Sequence, residues 1–195
     1  MTKEQREELL KLRKTQNLPW HSPPHRDGGS RKFHITASCF EHQSFIGLSP
    51  KRMQIFETVL YNTILASGNL LVAWSVLPNH YHLLVKSGDI LGLLKNLGKL
   101  HGKTSFEWNG EESLRGRKVW CNSMETAIKS DKHYFSTVNY IHNNPVHHGY
   151  VGKWDEWPFG NAKDYLDSFG KNKALEIWRK YPISGYGKDW DPPEM

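Results

Sequence analysis

Residues 70–86, LLVAWSVLPNHYHLLVK, decide the fold. Two apolar, strand-like runs flank Pro78-Asn79, a pair suited to a turn, so the spacing predicts an antiparallel hairpin. The run from Leu70 to Leu77 is far shorter than the roughly 20 residues a membrane helix requires, and Ser75 interrupts it. Side chains alternate across a strand, so His80 and His82 fall on one face while Tyr81 and Leu83 fall on the other.

Upstream, RKFHITASCF (residues 31–40) reads as a strand. Ser49 and Pro50 then open a helix as its cap and first residue, with Met53, Ile55, Phe56, Val59, Leu60, Ile64 and Leu65 as the buried stripe and Gly68 as the stop. Downstream, Ile90, Leu91, Leu94, Leu97 and Leu100 mark a second helix ending near Asn109-Gly110. A basic loop leads to VWCNSMETAI (residues 119–128), a fourth strand. DKHYFSTVNYIHNNPVHHG (residues 131–149) is a third helix, capped by Asp131 and broken after Asn144 by Pro145. This order is that of an α+β, ferredoxin-like βαββαβ sandwich: an antiparallel sheet with helices on one face, plus an extra C-terminal helix that carries Tyr140. Residues 1–30 read as a charged helix and a linker, residues 31–152 as the main domain, and residues 153–195 as an aromatic tail packing on it.

A length of 195 residues fits one domain, and 8 Trp, 8 Tyr and 8 Phe supply a core that excludes wholesale disorder. Cys39 and Cys121 cannot build a disulfide framework or a cysteine zinc site, and the N-terminus has no apolar signal-peptide core, so a soluble, cytoplasmic protein with no membrane partner is expected. Of the net charge of +6, residues 20–152 hold +5, with fourteen basic and nine acidic side chains. Such an excess suits a polyanionic partner, or simply a solvated surface. Phosphate-loop, HExxH and GxSxG patterns are absent.

Two imidazoles on one strand face make half of a metal site, or two hydrogen-bonded histidines. In YIHNNPV, Tyr140 and Asn144 lie one helical turn apart and share a face, while Val138 and Ile141 can pack the helix on the sheet. Taken alone, Tyr140 is also an ordinary amphipathic tyrosine and Asn144 a helix C-cap. Lys95, Lys99 and Lys103 recur every four residues, as a DNA-facing stripe or a solvated face. Arg115, Arg117 and Lys118 are further candidate phosphate contacts. His142, Asn143 and His133 read as surface groups, and His34 as a satisfied sheet histidine. His147, seven residues beyond Tyr140, returns to its face if the helix continues past Pro145. Exposed aromatics would stack on single-stranded bases, and Trp20, Trp108, Trp120, Trp154 and Trp157 are the candidates.

PNHYHLLV followed about sixty residues later by YIHNNPVHHGYV resembles the HUH (His-hydrophobic-His) single-strand DNA transposases with one catalytic tyrosine, and more closely their domesticated branch, the REP-associated tyrosine transposases. The resemblance spans about residues 31–165, including FHITASCF and the trailing WPF. It implies that His80 and His82 bind a metal, that Tyr140 is the nucleophile and that Asn144 is a third ligand. It further implies a single-stranded DNA endonuclease and strand transferase that forms a 5′-phosphotyrosine at hairpin DNA, working as a homodimer or a monomer. Two imidazoles and an amide oxygen suit Mg²⁺ or Mn²⁺, and a phenol of pKa about 10 needs help to lose its proton. The chain departs from the pattern at His147-His148-Gly149, where the family usually has Arg-Ala-Gly, so a phosphate contact by that arginine does not carry over to this chain by resemblance. Two rivals stand beside this reading. A replication-initiator or relaxase-type HUH nickase resembles it in geometry but generally lacks the PNHxHLLV and YIxxNPV pairing, and a non-catalytic hairpin-binding regulator has no need of His80, His82 and Tyr140.

Overall fold

The computed structural model describes residues 31–183 and 185–186. The expected N-terminal helix and linker, with Trp20, lie outside the described residues, as does the tail beyond residue 186. The main elements are β1 (Arg31–Ser38), α1 (Pro50–Ala66), β2 (Leu70–Val76), β3 (His80–Ser87), α2 (Ile90–Glu111), β4 (Met124–Ala127), α3 (Asp131–His147), α4 (Ala162–Phe169) and α5 (Lys171–Lys180). The sheet order is β2-β3-β1-β4 with every neighbouring pair antiparallel, which is the ferredoxin-like arrangement. Leu77 N–H bonds His80 O at 2.8 Å, closing the β2–β3 hairpin tightly around Pro78-Asn79. Gly47 packs so closely on Pro78 that no Cβ fits there, and its N–H bonds the Pro78 carbonyl at 2.8 Å.

One sheet face is apolar. Phe33, Ile35, Tyr81, Leu83 and Val85 pack against Met53, Phe56, Leu60 and Ile64 of α1 and Leu93, Leu97 and Leu100 of α2. Phe56 sits among three rings, with centroids 5.9 Å from Tyr81, 5.8 Å from Trp108 and 5.3 Å from Trp120. Trp108 and Trp120 are therefore core residues, not surface platforms. Beside them His101 stacks on Trp120 at 4.2 Å and hydrogen-bonds the Tyr81 hydroxyl at 3.0 Å. The opposite face is covered by α3, whose Val138 and Ile141 pack on Ala73 and Leu84. Helices α1 and α2 thus share one face, and the extra helix takes the other.

Several local expectations are corrected. Ile55 and Leu65 on α1 and Leu91 on α2 are exposed, lying outside the buried stripes of those helices, and Leu93 takes the place expected of Leu91. Ser130, not Asp131, caps α3, with its hydroxyl accepting from His133 N–H at 3.1 Å. Pro145 does not break α3 but lies inside it. So close to the C-terminus it forfeits one ladder bond, and Tyr150 N–H bonds its carbonyl at 2.9 Å to close the end. The fourth strand is four residues long; before it the chain is held by an isolated Cys39–Trp120 bridge, by Cys121 N–H bonding Ser38 O at 2.9 Å and by Phe40 N–H bonding Val119 O at 2.8 Å. None of the described helices is long and apolar enough to cross a membrane.

The packing predicts that Phe56→Ala costs about 3–5 kcal/mol, whereas Ile55→Ala, on the exposed side of the same helix, costs less than about 0.5 kcal/mol. Urea unfolding of both variants checks the stripe, and equal losses would contradict it.

Candidate active site

Alternation along β3 buries His80, His82 and Leu84 under α3 and sends Tyr81 and Leu83 to the apolar layer. The register places Thr36 of β1 and Ser75 of β2 on either side of His82, and Ser38 beside His80. Across the layer, Tyr140 and Asn144 project from one face of α3. The Tyr140 ring lies edge-on to His82 at 5.1 Å between centroids, and Asn144 Oδ1 is 3.0 Å from His80 Nε2. The four side chains singled out in sequence, His80, His82, Tyr140 and Asn144, are thereby brought together, each no more than 5% exposed.

Three residues that sequence reading did not assign to this cluster join it. His34, on β1, places Nε2 3.3 Å from His82 Nδ1 and its ring 5.9 Å from Tyr140. His148 lies with its ring 4.9 Å from that of His80. Tyr186 packs 5.3 Å from Tyr140, and its hydroxyl is 2.6 Å from Thr137 Oγ1. The signal for His34 was its parity on β1, where it shares a face with Thr36 and Ser38; the β1–β3 register that aligns it was not legible. His148 reaches His80 because α3 continues past Pro145. His147, also carried past Pro145, is exposed and lines a cleft of about 220 Å³ with Tyr140, Asn144 and Tyr186. A second cleft of about 250 Å³, lined by His34, Thr36, Ser38, His80, His82 and Met124, opens on the side of β4. The tyrosine–histidine cluster sits between the two.

The donor set fits a small divalent cation. Asn79 Nδ2 donates to His42 O at 3.1 Å, which turns Asn79 Oδ1 toward His80 Nδ1 at 2.6 Å and makes Nδ1 the protonated nitrogen. Nε2 is thereby turned toward Asn144 Oδ1 at 3.0 Å, and the two atoms each have a lone pair to offer a cation. Neighbouring ligands around an ion with bonds of about 2.0–2.1 Å stand about 3 Å apart, the separation seen here. Among the described residues no three His, Cys, Asp or Glu side chains are grouped to hold a metal ion, so an ion here would rest on His80, His82 and the Asn144 amide.

The other predicted residues lie elsewhere. Lys95, Lys99 and Lys103 are exposed on α2, in the layer on the far side of the sheet, and Lys103 stands 3.8 Å from Glu107. Arg117 is engaged in the fold: it pairs with Glu112 at 2.9 Å and bonds Asn109, while Arg52 grips Glu111 and Glu112 at 2.7 Å. These arginines hold the Glu112 carboxyl below the usual range, the Arg117 bond most of all. Arg115 lies over the Phe106 ring at 4.2 Å and Lys118 over Phe40 at 4.4 Å. His133 accepts from Lys129 N–H. His142 is buried, not a surface group, because α4 and the segment before it cover that flank of α3; burial pushes its pKa down to about 4, with a hydrogen bond to Asn161 opposing the shift.

Fold and cluster define a class: a ferredoxin-like sheet with a tyrosine-bearing helix laid over paired histidines. Known proteins resemble it. The chain is 29% identical over 122 residues to a Haemophilus influenzae protein provisionally named REP-associated tyrosine transposase, covering 54% of this chain and 69% of that one. It is 33% identical over 89 residues to the REP-associated tyrosine transposase of Escherichia coli, covering 45% of this chain and 50% of that one. A solved structure of a REP-associated tyrosine transposase bound to a REP hairpin shares the fold, with a TM-score of 0.59 and 20% identity over 75% of this chain and 85% of that one. No family model matches the chain. The chain is thus similar to the REP-associated tyrosine transposases beyond the two motifs that first suggested them.

His101 and His142 are both held neutral by burial, each with a pKa lowered to about 4. In the unfolded chain they take up protons near pH 6.5, so their contribution to stability is present above that pH and is lost as pH falls toward 4. The thermal midpoint is expected to drop across this window, and to drop less in His101→Gln; a midpoint with the same pH dependence in both proteins would contradict a neutral, buried His101.

Proposed function

We propose that the chain is a divalent-metal-dependent single-strand DNA endonuclease and strand transferase acting at hairpin DNA, with Tyr140 as its nucleophile. The observation that carries this reading is the convergence of His80 and His82 from β3 with Tyr140 and Asn144 from α3, beside an open cleft. The names of the two relatives support it. The solved structure bound to a REP hairpin supports a DNA hairpin as ligand.

His80, His82 and Asn144 would hold Mg²⁺ or Mn²⁺, which when bound neutralises charge on a non-bridging phosphate oxygen. Tyr140 is held edge-on over the histidine layer, and its phenolic oxygen attacks the phosphorus. A phosphorus–oxygen bond to Tyr140 forms as the bond to the 3′ oxygen breaks. The phenol loses a proton and the leaving oxygen gains one, giving a 3′-hydroxyl and a 5′-phosphotyrosine. One phosphodiester replaces another, so a second 3′-hydroxyl can attack the linkage and rejoin strands without a nucleotide cofactor. The cleft over β1, β3 and β4, lined by His34, His80, His82 and Met124, is the path offered to the single strand. The α2 lysines, in the other layer, are candidates for phosphates of the flanking duplex.

Labelled single-stranded hairpin DNA incubated with the protein and Mn²⁺ is expected to give an adduct that survives denaturation. Tyr140→Phe gives none, and His80→Ala lowers its formation by about 100-fold or more while hairpin affinity is kept. Hairpin binding by wild type without an adduct, or an adduct undiminished in Tyr140→Phe, overturns the assignment; the first outcome favours a non-catalytic regulator.

A further inference from the structure

We propose that Asn161 is a positioning residue for the tyrosine helix, fixing through His142 where Tyr140 lies over the histidines of the sheet. The proposal rests on Tyr140 being the reactive group, as argued above, but the geometry behind it is independent of that reading.

The segment 159–161 lies along the outer edge of β2. Val76 N–H bonds Phe159 O at 2.8 Å, Asn161 N–H bonds Trp74 O at 3.3 Å, and Ser75 pairs with Gly160 as a bridge. A Cβ on Gly160 would stand 2.6 Å from Trp74 O, so the close approach requires glycine. Asn161 occupies the N-cap position of α4, where an asparagine ordinarily accepts from a helix N–H, yet it makes no such bond. Its side chain is used otherwise. Nδ2 donates to Val72 O at 3.0 Å, and Oδ1 accepts from Trp74 N–H at 3.0 Å. These two bonds to β2 fix the orientation of the amide.

Asn161 Oδ1 also lies 3.1 Å from His142 Nε2. Because that oxygen can only accept, the imidazole must carry its proton on Nε2. The His142 ring is held from its other sides by Trp154, parallel within 7°, and by Tyr165 at 5.0 Å. One amide thus joins the sheet edge, the covering segment and α3.

The place of His142 on α3 gives this bond its leverage. Ile141 points into the sheet, and Tyr140 and His142 flank it about 100° to either side. Val138 and Ile141 rest on Ala73 and Leu84, and such apolar contact is not directional, so it resists lifting of the helix better than rolling. A roll of about 10° moves a side-chain tip about 5–6 Å from the axis by about 1 Å, and a misplacement of that size can cost about 100-fold in rate. The directional bond from Asn161 to His142 opposes that roll.

The test compares His142→Gln, whose amide retains an N–H at the reach of Nε2, with His142→Leu and Asn161→Ala. The rate of adduct formation at saturating hairpin DNA with Mn²⁺, hairpin affinity and the Tyr140 ring resonances are read for each. We expect His142→Gln to stay within about threefold of wild type, and His142→Leu and Asn161→Ala to slow by about tenfold or more with affinity unchanged. The double variant His142→Leu/Asn161→Ala should be no slower than the slower single one, since both remove the same link. Tyr140 resonances should shift in His142→Leu and Asn161→Ala and hold in His142→Gln. Equal rates and unshifted Tyr140 resonances in folded His142→Leu, or His142→Gln as impaired as His142→Leu, would overturn the inference. If wild type forms no adduct, the proposed function fails, and the Tyr140 resonances alone then decide whether Asn161 positions the helix.

Discussion

On β3, neighbouring residues are committed to different chemistry. Tyr81 lies wholly within the apolar layer, where burial raises its phenol pKa, while His80 and His82 lie in the polar layer beneath α3. A slip of one residue would exchange the two sets, placing imidazoles among Phe56 and Trp120 and a tyrosine against Tyr140. Everything else serves to hold that register. Val85, Leu83 and Tyr81 pair with Phe33, Ile35 and Ala37 on one side, and Leu71, Trp74 and Val76 pair with the same three residues on the other. Both apolar helices pack on this set.

The second layer is assembled on different terms. Its buried apolar residues are few, namely Ala73, Leu84, Val138 and Ile141 with the ring of Tyr140, and between them stand His34, His80, His82, Asn144 and His142. Buried polar groups of this kind must be matched by partners or they destabilise the fold. His34 is matched with His82 and His142 with Asn161, each pair distant in sequence, while His80 bonds its neighbour Asn79 and turns its other nitrogen to Asn144. Directional bonds therefore place α3 together with its packing, and they help set where Tyr140 lies over the histidines.

Local patterns made much of this legible. The turn pair at Pro78-Asn79, the period of β3 and the stripe on α1 define the hairpin and the apolar layer, and the PNHYHLLV and YIHNNPV motifs name four of the clustered side chains. What stayed hidden depends on contacts between distant segments. His142 is off the Tyr140 face, and nothing nearby in sequence says that α4 and the segment before it will cover it. Arg117 looks like a free cation in the run LRGRK until Glu112 and Asn109 are seen to hold it. His34 needs the β1–β3 register, and His148 needs a helix that survives Pro145.

The cover over β2 also bears on how copies of this protein can meet. An unpaired strand invites another chain to extend the sheet. Along β2 that edge is partly taken up by Phe159 and Asn161, and Gly160 closes the gap so tightly that nothing can slip between. Among the described residues the other margin of the sheet is β4, four residues long and set beside the histidine cleft. A strand added there by a second copy would border the cleft itself, so self-association by sheet extension would narrow the way into it.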